Sequence, residues 1–218
     1  MAKRTPAVWA GLACVSVILA TSIVAADKEA LLKPESLNET APESFRVKFV
    51  TTRGDVILEV NREWAPNGAD RFYNLVKHGF YSDIAFFRVV PGFMAQFGIS
   101  GDPELAAIWS ESNIKDDPVV QSNQRGYVTY AKKGIPNTRS TQLYINYRDN
   151  SGLDSQGFAP FAKVVEGMEV IDALHGGYGD APPRGRGPNQ GRIISEGNTY
   201  LKKDFPELDY ITEATILE

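Results

Sequence analysis

Ile84-Ala-Phe-Phe-Arg-Val-Val-Pro-Gly-Phe-Met-Ala-Gln-Phe-Gly98 carries a single charge, Arg88. Two short apolar runs flank Pro91-Gly92, a turn signal, so the stretch reads as two buried strands joined by a bend. A guanidinium in such a run is costly to bury without partners. Two placements are open. In one, Arg88 lies on the outer face of a half-buried antiparallel strand, its stem on apolar neighbours. In the other, it points into an apolar pocket as the one fixed polar group of a binding site.

Upstream, Phe45, Val47 and Phe49 alternate with Arg46, Lys48 and Val50. Arg53-Gly54 gives a turn, and Val56–Val60 a second strand, so Phe45–Val60 is a hairpin. Pro66–His78 is predicted as a helix capped by Asn67, with Ala69, Phe72, Tyr73 and Val76 on one face and Gly79 as its stop. His78 falls in the last turn, where a cation suits the helix dipole. Downstream, Ser100–Gln124 is a long connection, with one helical turn over Glu104–Trp109. Asp116-Asp117-Pro118 reads as a solvated turn rather than a paired acid site. Strands follow at Gly126–Ala131, Gln142–Asn146 and Phe161–Val165, then a second helix over Glu166–His175. Tyr178–Gly191 is a Gly- and Pro-rich surface loop with Arg184 and Arg186. Arg192–Glu196 reads as a last strand, and Tyr200–Glu218 shows no clear period. Seven or eight short strands with two widely separated helices point to a mainly β chain, a barrel with helices over its ends.

The 218 residues are 43% hydrophobic and 23% charged, ordinary for one globular domain. Residues 1–26 have an export signal's composition. Lys3 and Arg4 precede an apolar run, and Val24-Ala25-Ala26 forms a cleavage site before Asp27. The competing reading is an uncleaved membrane anchor over residues 7–24, since that run is about as long as a bilayer needs. Without residues 1–26, 21 basic side chains face 27 acidic ones, a balance of −6, which argues against nucleic acid as a partner. Cys14, the only cysteine, lies in the leader, so the body forms no internal disulfide. His78 and His175 are far apart, and no metal or other cofactor is expected. Residues 27–43 read as a polar linker, and 44–218 as the folded domain with a C-terminal extension from about 197.

Arg-Val-Val-Pro-Gly-Phe-Met-Ala-Gln96 resembles the signature of the cyclophilin family of peptidyl-prolyl cis-trans isomerases. The likeness continues in Tyr130-Ala-Lys-Lys-Gly-Ile-Pro-Asn-Thr-Arg-Ser-Thr-Gln-Leu-Tyr-Ile145, which carries one inserted residue. It ends in Leu153-Asp154, Gly157-Phe-Ala-Pro-Phe-Ala-Lys-Val164 and Glu166-Gly-Met168. It spans about Phe45 to Glu196. The resemblance implies a closed eight-stranded antiparallel β-barrel capped by two α-helices. It implies Arg88 as the catalytic residue and Phe93 and Met94 as the floor of a proline pocket. Leu153 and Phe158 would close that pocket. Gln96 would bond a substrate carbonyl, and Ala131, Lys132, Gln142 and Tyr144 would complete the site. The implied partners are proline-containing polypeptides, bound by a monomer that is exported, periplasmic or extracellular.

The chemistry stands beside the resemblance. A prolyl amide resists rotation because its nitrogen shares a lone pair with the carbonyl, a barrier of ~18–20 kcal/mol. No bond need break to lower it. A catalyst must hold the ring and donate a hydrogen bond to the nitrogen as it becomes pyramidal. A guanidinium keeps its charge and offers rigid donors. Aimed at charge present only in the transition state, it stabilises that state selectively. This chain departs from the family at Tyr144 (usually Phe), Phe158 (usually His) and Gly152 (often Trp), and Lys132 and Lys133 replace smaller rim residues. Those changes motivate the alternative function: a non-catalytic proline-peptide-binding module or chaperone of the same fold.

Overall fold

The computed structural model describes residue 1 and residues 28–217. The expected leader, its anchor alternative over 7–24 and Cys14 lie outside the described residues. Among the described residues, no helix is long and apolar enough to cross a membrane.

The fold is one antiparallel sheet with helices around it. Its strands are β1 (Ser44–Thr51), β2 (Gly54–Asn61), β3 (Ile84–Ala85), β4 (Arg88–Val90), β5 (Met94–Phe97), β6 (Tyr127–Tyr130), β7 (Leu143–Asn146), β8 (Pro160–Glu166) and β9 (Tyr210–Leu217). Their order is β3-β9-β1-β2-β8-β6-β7-β5-β4. The edge strands β3 and β4 are joined only by Phe86-Phe87, so the curled sheet brings its two edges together there. Among the described residues the sheet thus has nine strands where eight were expected. The helices that accompany them include α1 (Pro66–Lys77), α2 (Pro103–Glu111), α3 (Met168–Asp172) and α4 (Gln190–Asp204), more than the two expected.

Alternation decides which side of each strand is core. Val47, Phe49, Val56 and Leu58 from the β1–β2 hairpin are fully buried, in the register Val47↔Leu58 and Phe49↔Val56. Phe49 stacks edge-on to Phe72 of α1 and Phe97 of β5. Each such side chain contributes about 1.5–3 kcal/mol on burial. The odd-numbered residues Val89, Ala95, Phe97, Leu143 and Ile145 join this core. The even-numbered residues of β4, β5 and β7 therefore face the opposite side of the sheet.

Four expectations are corrected. Residues 28–43 are not a free linker. Leu31, Leu37 and Ala41 are buried in the main core. The Trp109 indole donates to the Leu31 carbonyl at 2.8 Å, and Asn74 bonds both backbone groups of Glu39. The predicted strand Arg192–Glu196 is the first part of α4. α4 is two helical pieces meeting at a kink at Gly197 (φ 59°, ψ −148°), and the first piece buries Ile193 while the second buries Tyr200 and Leu201. The C-terminal residues are no appendage, because β9 sits inside the sheet between β3 and β1. Finally, Asp117 is no solvated turn. It is 6% exposed, and its carboxylate, rather than Asn67, accepts the first N–H groups of α1.

The start of α4 has a local cap. Asn189 accepts the Arg192 N–H at 3.1 Å. Asn189→Ala is expected to cost about 1 kcal/mol of stability, measured by urea unfolding, by orphaning that donor.

Candidate active site

Strand register assembles the site. Arg88 pairs with Gln96, Val90 with Met94, and Gln96 with Tyr144 across the β4–β5–β7 ladders. The Pro91-Gly92 turn, with Gly92 at φ 71°, returns the chain so that Phe93 follows at the rim. Arg88, Met94, Gln96 and Tyr144 thus share the face turned away from the main core. Directly opposed side chains on one face sit within contact distance.

That face lines a cleft of about 580 Å³. All ten residues singled out from the sequence border it: Arg88, Phe93, Met94, Gln96, Ala131, Lys132, Gln142, Tyr144, Leu153 and Phe158. The Arg88 Nη1 donates to Gln96 Oε1 at 3.0 Å, and Gln96 Nε2 donates to Gln142 Oε1 at 2.9 Å. Arg88 lies 5.9 Å from the Phe93 ring centre. A polar chain therefore runs along the cleft beside apolar walls.

The sequence reading missed the cleft's strongest contact. Asp180, 92 residues further on, takes the other edge of the guanidinium. Arg88 Nε donates to Asp180 Oδ1 at 2.9 Å and Nη2 donates to Oδ2 at 3.0 Å. Arg88 is thus not the one fixed polar group of an apolar pocket, because a half-buried guanidinium draws a carboxylate to compensate its charge. The Arg88 hydrogen bonds hold the Asp180 carboxyl below the ordinary carboxylate range. The pair is accordingly ionised at neutral pH, and it opens only as acid protonates the carboxyl below that range. Arg184, at 3.3 Å, is the other cation facing this carboxylate. The neighbouring Ala181, Pro182 and Pro183 also border the cleft, as do Ser110 and Glu111 of α2 and Gln190 and Ile194 of α4. The sequence marks Ala181, Pro182 and Pro183 only as part of a Gly- and Pro-rich loop, and the fold brings these residues here.

The unusual residues have structural answers. The Tyr144 hydroxyl donates to the buried Asn123 Oδ1 at 2.9 Å, and burial pushes its pKa up. Asn123 in turn donates to Asp154 and to the Phe158 carbonyl, tying the Leu153–Phe158 wall to β7. The Tyr144 and Phe158 rings meet edge-on at 6.1 Å. Lys132 folds over the Phe158 ring at 5.5 Å and reaches Asp116 at 3.6 Å, so its ammonium is partly neutralised. A Cβ at Gly152 would meet nothing within 4 Å, and Gly152 itself does not border the cleft.

Among the described residues, no cluster of His, Cys, Asp or Glu could hold a metal ion. The groups present can grip a ring, donate hydrogen bonds to a peptide, and stabilise charge on an amide.

Comparison with known proteins agrees with this chemistry. The chain is 28% identical over 176 residues to peptidyl-prolyl cis-trans isomerase B of Escherichia coli, covering 77% of this chain and 96% of that protein. It is 34% identical over 139 residues to peptidyl-prolyl cis-trans isomerase A of Dickeya dadantii, covering 62% and 73%. Its fold is similar to the crystal structure of a cyclophilin-type isomerase from Cryptosporidium parvum, with a TM-score of 0.59 and 22% identity over 80% of this chain and 98% of that one. The same parasite protein crystallised in the presence of the dipeptide Ala-Pro gives a TM-score of 0.59 at 21% identity over 79% of this chain and 99% of that one. The model of the cyclophilin type peptidyl-prolyl cis-trans isomerase family matches residues 46–195, which hold every residue of the polar chain from Asp180 to Gln142, and the chain belongs to that family.

Proposed function

We propose that this cyclophilin-type peptidyl-prolyl cis-trans isomerase works through Arg88 and serves the folding of exported polypeptides. The observation that carries the residue assignment is the Arg88–Gln96–Gln142 chain laid beside an apolar cleft. Phe93, Met94, Tyr144, Leu153 and Phe158 clamp the proline ring. Gln96, Gln142 and the backbone at Ala131 and Lys132 grip the flanking peptide. Of the five guanidinium N–H bonds, three go to Asp180 and Gln96 and a fourth, from Nη1, reaches Met94 Sδ at 3.9 Å, which leaves the outer Nη2 N–H for a substrate. That N–H approaches the prolyl nitrogen as it loses conjugation, when its lone pair first becomes an acceptor. Before that moment the nitrogen offers little to bond, so the contact favours the transition state over either isomer.

The test is a proline tetrapeptide followed with the full chain at catalytic concentration, alongside exchange spectra of the same peptide. Acceleration above the spontaneous rate, with exchange between cis and trans signals, is expected. Binding without added exchange would overturn the catalytic role in favour of a peptide-holding module.

Export rests on Lys3 and Arg4, the apolar run after them and Val24-Ala25-Ala26. Periplasmic or extracellular release follows if the leader is cut, and attachment through residues 7–24 if it is kept. N-terminal sequencing of the protein from its host distinguishes them. A mature chain beginning at Asp27 is expected, and one beginning at Met1 would overturn the cleavage.

A further inference from the structure

We infer that Asp180 is a positioning residue for the isomerase reaction, locking the Arg88 guanidinium in its working plane. The inference rests on Arg88 acting as the reading above assigns.

A two-point carboxylate–guanidinium contact fixes more than charge. Donation from both Nε and Nη2 defines the plane of the fork and its rotation about the Cδ–Nε bond. With that edge held at 2.9 and 3.0 Å, Nη1 is aimed at Gln96 and Met94, and the remaining Nη2 N–H has one direction. Arginine otherwise carries large rotamer freedom, and a donor that must find its direction during reaction loses the benefit of preorganisation.

The loop is built to present this carboxylate. The Asp180 carbonyl accepts the Gly187 N–H at 2.8 Å, and the Tyr178 carbonyl accepts the Arg186 N–H at 3.0 Å, so the segment folds back on itself. A Cβ at Gly185 would lie 2.2 Å from the Asp180 carbonyl oxygen, which only glycine tolerates. Tyr178 anchors the base of the loop against Phe205 at 5.1 Å. The Ala181 N–H also donates to Asp180 Oδ1 at 2.8 Å, fixing the carboxylate from its own side.

The same contact could in principle be inhibitory, a carboxylate competing with substrate for the arginine. The cleft decides against that. It stays open at about 580 Å³ with the loop in place, bordered by Arg88, Gln96 and Asp180 together. Pro182 and Pro183 are exposed at its edge. The loop is a wall, and it takes the guanidinium edge turned away from Gln96.

The experiment compares the full wild-type chain with Asp180→Ala and Asp180→Asn, in the tetrapeptide assay and by the ¹H–¹⁵N resonance of the Arg88 Nε–H. Both variants are expected to lose about tenfold in kcat with KM within twofold. The wild-type Nε–H should be shifted and slow to exchange, and in both variants it should move to the position of a free arginine. Near-UV circular dichroism checks that each variant folds, and Asp180→Asn keeps the shape of the side chain if Asp180→Ala does not. Unchanged kcat with an unchanged Nε–H signal would overturn the inference, and so would a rise in kcat, which would make the loop inhibitory. An inactive wild type would remove the catalytic reading instead, and the Nε–H signal would then decide the positioning by itself.

Discussion

Arg88→Ala is expected to lower kcat/KM for a proline tetrapeptide by about 10²- to 10³-fold, the loss typical when a donor aimed at transition-state charge is removed. The apolar walls remain in that variant, so peptide binding should weaken far less than turnover. This split is the signature of an interaction made mainly in the transition state. Arg88→Ala also strands the Asp180 carboxylate, which has lost both of its bonds from Nε and Nη2. The double variant Arg88→Ala/Asp180→Ala removes both charges and separates lost chemistry from a misplaced loop. Its kcat/KM should match that of the single variant. Arg88→Lys keeps a charge but presents a point donor, which cannot hold Asp180 and Gln96 at once. It is expected to fall between the two. An Arg88→Ala protein as fast as wild type would refute the mechanism, whatever the fold.

The part of this site that was legible lay close together in sequence. Arg88, Met94 and Gln96 sit on one hairpin, so the spacing that names them also places them on one face. Gln142 and Tyr144 were legible for the same reason, on a strand of period two beside β5. Asp180 was not, because its loop is Gly- and Pro-rich and its partner lies 92 residues away. Composition of that kind announces only a surface loop. β9 escaped for a different reason. Its register shifts between Val50 and Thr51 of β1, so Thr212 falls out of step. The buried positions Ile211 and Ala214 then stand three apart, and the period-two signal is broken.

Asp116-Asp117-Pro118 had a third kind of opacity: a sequence that is a solvated turn in most settings is here a structural node. Asp117 Oδ1 accepts the Asn67 N–H at 3.0 Å and Oδ2 accepts the Gly68 N–H at 3.0 Å, satisfying the start of α1. Oδ2 also accepts from Arg139 Nη2 at 2.9 Å. Arg139 is itself 1% exposed, lies 5.7 Å from the Tyr130 ring and donates to the Lys115 carbonyl. The Tyr130 hydroxyl closes the circuit by donating to the Gly68 carbonyl at 3.0 Å. One carboxylate therefore ties the first turn of α1, the body of the sheet and the segment leading to Gln142.

Asp117→Ala is accordingly expected to destabilise the protein by about 3–5 kcal/mol, because it uncaps α1 and breaks the close buried pair, leaving Arg139 only the Asp116 carboxylate at 3.3 Å. Urea unfolding measures this as a lower midpoint at an unchanged slope. Asp117→Asn distinguishes the two jobs of the side chain. An amide oxygen can still accept an α1 N–H, but it cannot neutralise Arg139. If the capping of α1 dominates, Asp117→Asn should recover most of the loss. If Arg139 dominates, it should recover little, and that is the expected result because the guanidinium is almost wholly shielded from water. The double variant Asp117→Ala/Arg139→Met should then be more stable than Asp117→Ala alone, because an apolar chain replaces the stranded charge. A double variant no more stable than the single one would show that the helix start, not the buried arginine, is what Asp117 sustains.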